Sequence, residues 1–246
     1  MIVVHYRLLT NSLGVCLLGV FANAQENNPA SAHEALERLR QGNLEFAAGH
    51  IDTSHVGAKG TTALKPIASI LSCSDSAVPP EVIFGQADLF VVRVSGAGAS
   101  QAVLGSLEYA AEHLGSRLLV VMGHTSCGAV KVALDAQVPR SPIKLSTNLQ
   151  GVLNLVRPAL DRPQQRGDPW TSAVYASVEQ TLDDIVQHSQ VIGEMARADQ
   201  LTLIGAVYWP DSGKVVFSKP ISFSNIKAEP VLPRQGPLAI AHGESK

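Results

Sequence analysis

Four residues of types that can bind metals or move protons stand at short spacing in two segments of this chain. Cys73 and Asp75 lie two apart in LSCSDSAVPPE, and His124 and Cys127 lie three apart in VVMGHTSCGAV. Thiolate and imidazole suit a borderline-soft ion, and a tetrahedral site needs only four donors, so two cysteines, a histidine and a carboxylate make a plausible zinc set. Cys127 is expected to open a helix, where a thiol ionises more easily. Other readings of the same residues stay open. Cys73 and Cys127 could form a disulfide, or His124 could activate Cys127 as a nucleophile, which leaves Cys73 and Asp75 idle. Neither motif says much alone; the pair of them at strand ends favours a metal.

The elements that must bring these segments together are legible as alternating apolar runs and helical patterns. Strands are expected over Ile67–Ser72, Leu89–Val94, Leu118–Gly123 and Leu201–Tyr208, with helices over Gln101–Leu114, Gly128–Ala136 and Ser172–Arg197, the last broken near Gly193. The turn Pro210-Asp211-Ser212-Gly213 leads into Lys214–Ser218 as an antiparallel hairpin partner. Ahead of these, SAHEALERLRQGNLEFAAG predicts an amphipathic helix capped by Ser31. The fold class is therefore α/β: an open, mostly parallel four-stranded sheet with an added antiparallel strand, helices on both faces, and an N-terminal helix. Both chemical segments then leave the carboxyl ends of strands, where open α/β sheets build their sites.

Composition bounds the rest. A chain of 246 residues, 46% hydrophobic and 16% charged, suits one globular domain with a sizeable core, or at most one domain plus a small appendage. A formal charge of −2 gives no electrostatic case for nucleic acid or an anionic membrane, and no apolar run is long enough to span a bilayer. The opening MIVVHYRLLTNSLGVCLLGVFANA has the pattern of a secretory signal cut at Ala24/Gln25. Residues 1–24, including Cys16, would then be removed on export, with a bacterial periplasm as the expected compartment. Residues 25–223 form the domain, and 224–246 read as a loose, proline-rich tail.

From Ala32 to Phe217 the sequence resembles the β-class carbonic anhydrases. The stretches that carry the likeness are SCSDSAVPPEVIFGQADLFVVR, GSLEYAAEHLG, VVMGHTSCGAVKVAL and IGAVYWPDSGKVVF. The resemblance implies one zinc ion per chain held by Cys73, His124 and Cys127, with Asp75 as orienting group or fourth ligand. It implies a homodimer or homotetramer whose N-terminal helix lies on the neighbour. The reaction implied is reversible hydration of CO2 to bicarbonate, the metal bringing the pKa of water from about 15.7 to about 7. Arg93 is read as a substrate- or anion-binding or structural residue.

The chain departs from the family pattern at polar positions. The motif C-x-D-x-R has Ala77 in place of the arginine whose planar fork would pair with Asp75 and keep it off the metal. Leu64 stands where the family often has glutamine, and Val94-Ser95-Gly96-Ala97 replaces Asn-x-x-Asn. Two alternatives follow: a catalytically silent zinc protein closed by Asp75, or a hydrolase of a related small molecule such as carbonyl sulfide. Gly96-Ala97-Gly98 does not extend to a dinucleotide loop, because Gln101 occupies the third glycine position. His113 and His188 read as surface or packing residues.

Overall fold

The computed structural model describes residues 31–51, 53, 65–86, 88–139, 142–162 and 167–221. The expected leader, Cys16, Leu64 and the tail from residue 224 lie outside these residues. The elements are α1 (Ala32–Ala47), β1 (Ala68–Ser72), α2 (Pro80–Ile83), β2 (Leu89–Arg93), α3 (Gln101–Glu112), β3 (Leu118–His124), α4 (Gly128–Gln137), α5 (Thr147–Leu160), α6 (Pro169–His188), α7 (Gln190–Arg197), β4 (Thr202–Trp209) and β5 (Lys214–Phe217). The sheet order is β2-β1-β3-β4-β5, parallel through β4, with β5 antiparallel at the edge. The expected α/β architecture is present. No helix among the described residues is long and apolar enough to cross a membrane.

Because side chains alternate across a strand, β3 feeds two cores at once. Leu119 and Val121 join one core with α3, α4, α5, α6 and α7, while Leu118, Val120 and Met122 join the other with α1 and α2. Covered on both faces, the strand reads as an unbroken apolar run, as central parallel strands do. From β1 the chain crosses to β2 on one side, then returns to place β3 on the other side of β1. The carboxyl ends of β1 and β3 therefore form the point where the strand order reverses, and a crevice opens there.

Two local outcomes differ from the sequence expectations. Between the expected helices Gly128–Ala136 and Ser172–Arg197, in a proline-broken stretch where the sequence predicts no element, lies a helix, α5, capped by Ser146 and carrying Pro158 in its last turn. The long helical region breaks at Ser189, not at Gly193. Ser189 leaves helical geometry, caps α7 by accepting the Ile192 N–H, and donates to Glu108 at 2.6 Å. Gly193 serves close approach instead: a Cβ there would stand 2.9 Å from the Val186 carbonyl oxygen. Helix α1 lays its buried face, Ala35, Leu36 and Leu39, on its own chain's sheet.

The anchor between α1 and the sheet edge is polar. Asn43, 5% exposed, accepts the Val215 N–H and donates to the Gly213 carbonyl, both at 2.8 Å, so its amide acts as a strand partner for the hairpin. Asn43→Ala leaves that donor and acceptor without partners. It is expected to destabilise the fold by about 2–3 kcal/mol in urea titration.

Candidate metal centre

The β1 ladder ends at Ser72, whose carbonyl accepts the Val94 N–H, and Cys73 is the first residue beyond it. The loop then turns at once. Asp75 Oδ1 accepts the Ala77 N–H at 2.9 Å, and its carbonyl accepts the Val78 N–H at 3.0 Å. Pro80 starts α2, where a missing N–H costs nothing. On the neighbouring strand, His124 closes β3. Ser126 swings back with φ +61°, a left-handed conformation for a non-glycine residue, and Cys127 caps the start of α4. A second left-handed residue, Ala97 at φ +52°, lies beside the cysteines in the turn after β2. Backbone of this kind persists only where packing over-determines it. Here a Cβ on Gly96 would stand 2.9 Å from Val156, and one on Gly98 would stand 2.6 Å from Leu155. These glycines serve contact with α5.

Cys73, His124 and Cys127 are all buried, and their ligand atoms lie within 4.8 Å of one another. The two sulfurs are 4.0 Å apart and both cysteines are free. Two sulfurs at 2.3 Å from one ion in tetrahedral geometry stand about 3.8 Å apart. The histidine supplies the decisive detail. His124 Nδ1 lies 3.0 Å from the Thr125 carbonyl, which can only accept, so Nδ1 carries the hydrogen. Its Nε2 is then a bare lone pair, buried and without a protein partner. A buried orphan of this kind beside two thiols fits a metal ion, and the hydrogen bond on the other ring nitrogen is how metal-binding histidines are usually oriented.

The remaining space is small. A cavity of about 10 Å³, room for roughly one water, is lined by the three ligand residues, Gly96, Ala97 and the side of α6 around Thr181. Without a cation the two thiols share a single proton balance. Cys73 is held well below the usual thiol range, chiefly by a hydrogen bond from Cys127, with the backbone N–H groups of Asp75 and Gly96 adding to it. Cys127 is pushed up, chiefly by its bond to Cys73 and then by burial. The helix-start N–H groups of Ala129 and Val130 do favour its thiolate, as expected, but the partner sulfur outweighs them.

The other expected site residues take different places. Asp75 is exposed, and its carboxylate is outside the group of converging ligand atoms. Ala77 is exposed and offers Asp75 only its backbone N–H. Arg93 reaches the site loop through backbone: its Nε donates to the Cys73 carbonyl at 3.1 Å and its Nη2 to the Asp75 carbonyl. His188 donates from Nδ1 to the Asp184 carbonyl at 2.8 Å, and His113 packs on Tyr109. Trp170, which the sequence does not single out, donates its indole N–H to the Cys127 carbonyl at 2.9 Å. A contact spanning 43 positions leaves no local signal in the sequence.

Residues 68–215 match the family profile described as carbonic anhydrase. Carbonic anhydrase 2 of Mycobacterium tuberculosis is 35% identical over 200 residues, covering 77% of this chain and 92% of that protein. A carbonic anhydrase of Mycolicibacterium smegmatis is 34% identical over 200 residues, covering 77% and 93%. The solved structure of a Coccomyxa β-carbonic anhydrase in complex with acetazolamide matches with a TM-score of 0.59 at 27% identity, over 78% of this chain and 89% of that one. The chain belongs to the β-class carbonic anhydrase family. Within that β-class carbonic anhydrase scaffold, the cysteines and histidine at the strand-order reversal form a site consistent with zinc.

Zinc-loaded protein is expected to carry one ion per chain by elemental analysis. His124→Ala should lose stoichiometric zinc, and stripping the native protein with a chelator should lower its melting temperature, since the folded state binds the ion preferentially.

Proposed function

We propose that this protein catalyses the reversible hydration of CO2 to bicarbonate, with one zinc ion held by Cys73, His124 and Cys127. The observation that carries this reading is the buried, unpartnered His124 Nε2 facing two thiols 4.0 Å apart. A zinc ion at such a site supplies Lewis acidity that makes water a nucleophile near neutral pH. The protein's own residues supply the rest. Thr125 holds the imidazole in the tautomer that leaves Nε2 free to bind, and the buried Cys73–Cys127 pair provides the negative charge that retains a dication. Asp75, fixed at Oδ1 by the Ala77 N–H, is assigned to accept the O–H of the reacting water and so aim its oxygen at CO2.

Ala77 supports a second reading. With no guanidinium at that position, Asp75 has only one backbone N–H restraining its carboxylate. Asp75 would then serve as fourth ligand and close the site, giving a zinc protein without activity. Stopped-flow hydration of CO2 by the zinc-loaded chain separates the two. The native protein is expected to be active, and Ala77→Arg is expected to gain about 10- to 100-fold in kcat/KM, the worth of a charge-assisted pair of about 1.5–3 kcal/mol. Activity in Ala77→Arg alone would establish the closed site. If neither protein hydrates CO2, the same assay with carbonyl sulfide decides whether a related small electrophile is the substrate.

Self-association belongs to the same reading. Leu44 on α1 and Tyr109 on α3 are 64% and 49% exposed, and Val216 on the edge strand is 47% exposed. A homodimer or homotetramer is expected by light scattering, and a concentration-independent monomer would refute it.

A further inference from the structure

We propose that Arg93 and Trp170 are positioning residues for the metal centre, each fixing the backbone of one cysteine ligand through an N–H on that residue's own carbonyl. The proposal rests on the metal-binding reading above. Cys73 stands just beyond the last paired residue of β1, so the ladder no longer holds it. Arg93 is the β2 residue paired with Ser72, and from there its guanidinium reaches over the loop. Nε donates to the Cys73 carbonyl at 3.1 Å, and Nη2 donates to the Asp75 carbonyl. One planar group thus spans the first and third residues of the C-x-D motif, which a single ammonium cannot do. Both of these guanidinium bonds are spent on backbone.

The second cysteine is held from another direction. The Cys127 carbonyl accepts the Lys131 N–H at 3.0 Å within α4, and the Trp170 indole N–H at 2.9 Å from the start of α6. That helix start is itself fixed, because Asp168 accepts the N–H groups of Trp170 and Thr171 at 2.9 and 3.1 Å. Neither β2 nor α6 contributes a ligand. Together they set where two sulfurs stand that would otherwise drift apart on short loops. A site preorganised in this way binds its ion without first ordering the loops.

The test is zinc affinity by competition with a chromophoric chelator, beside the visible and near-ultraviolet spectrum of the cobalt(II)-substituted protein, whose ligand-field and sulfur-to-metal bands report thiolate geometry. Arg93→Ala and Trp170→Phe are each expected to weaken zinc binding about 10- to 100-fold and to shift the cobalt spectrum. The phenylalanine keeps the ring and removes only the N–H. Arg93→Lys should fail to restore either property. Unchanged affinity and spectrum in both Arg93→Ala and Trp170→Phe would overturn the proposal. So would an Arg93→Ala protein altered only in KM or anion inhibition, which would make Arg93 a substrate- or anion-binding residue. If Arg93→Ala does not fold, Arg93→Lys and Trp170→Phe decide by the same two readouts. Native protein that takes up no zinc would instead defeat the metal-centre reading itself.

Discussion

Two thiols 4.0 Å apart in the protein interior impose the constraint on which this structure turns. As thiolates they would repel each other by about 4 kcal/mol at an effective dielectric of 20. Their contact favours charge on Cys73 and disfavours it on Cys127. A bound cation removes the conflict and lets both serve as ligands. Holding two such groups together while they repel requires a scaffold that does not yield. Adjacent parallel strands provide it: Ser72 pairs with Met122, so the chain one step past β1 and two steps past that pairing in β3 arrives at the same crevice.

Local backbone strain follows from the same demand. To place both His124 and Cys127 at one point, the chain must reverse within two residues, and Ser126 takes up the left-handed conformation that makes this possible. The opposite wall is built by Ala97, also left-handed, in a turn pressed against α5 so closely that neither Gly96 nor Gly98 has room for a side chain. Each left-handed non-glycine residue costs about 1–2 kcal/mol. The surrounding cores offset it, with β3 buried on both faces and α5, α6 and α7 packed over one of them.

Much of this was legible in the sequence because strong local patterns specify it. The apolar runs of β1, β3 and β4 mark parallel strands, and two short motifs at the ends of β1 and β3 mark the cysteines and histidine that converge there. The missed features have a common cause: they depend on contacts distant in sequence. Helix α5 sits in a stretch whose proline disguises its periodicity, yet Pro158 falls in the last turn, where its clash and missing N–H do little damage. Gly193 looked like a helix breaker because its packing against Val186 is invisible locally, while Ser189 broke the helix by exchanging ladder bonds for side-chain ones. Trp170 reaches the Cys127 carbonyl by tertiary geometry alone. Asn43 looked like an ordinary helix residue until the hairpin it bridges was placed beside it.

Ala77 removes positive charge beside Asp75 without removing the bond that orients it. The hydrogen bond that orients Asp75 comes from the peptide N–H of residue 77, which any residue except proline would supply. Alanine therefore preserves the turn and the carboxylate's direction; what it lacks is positive charge. How strongly that matters depends on the charge of the centre itself. Two thiolates balance a dication, so a Cys2His site draws a further carboxylate weakly compared with a site of neutral ligands. Asp75 is also exposed, and leaving water for the metal would forfeit hydration. On the proposed reading, the open arrangement thus retains support without a guanidinium, and the deficit would fall on how firmly Asp75 is held, not on the binding of the ion.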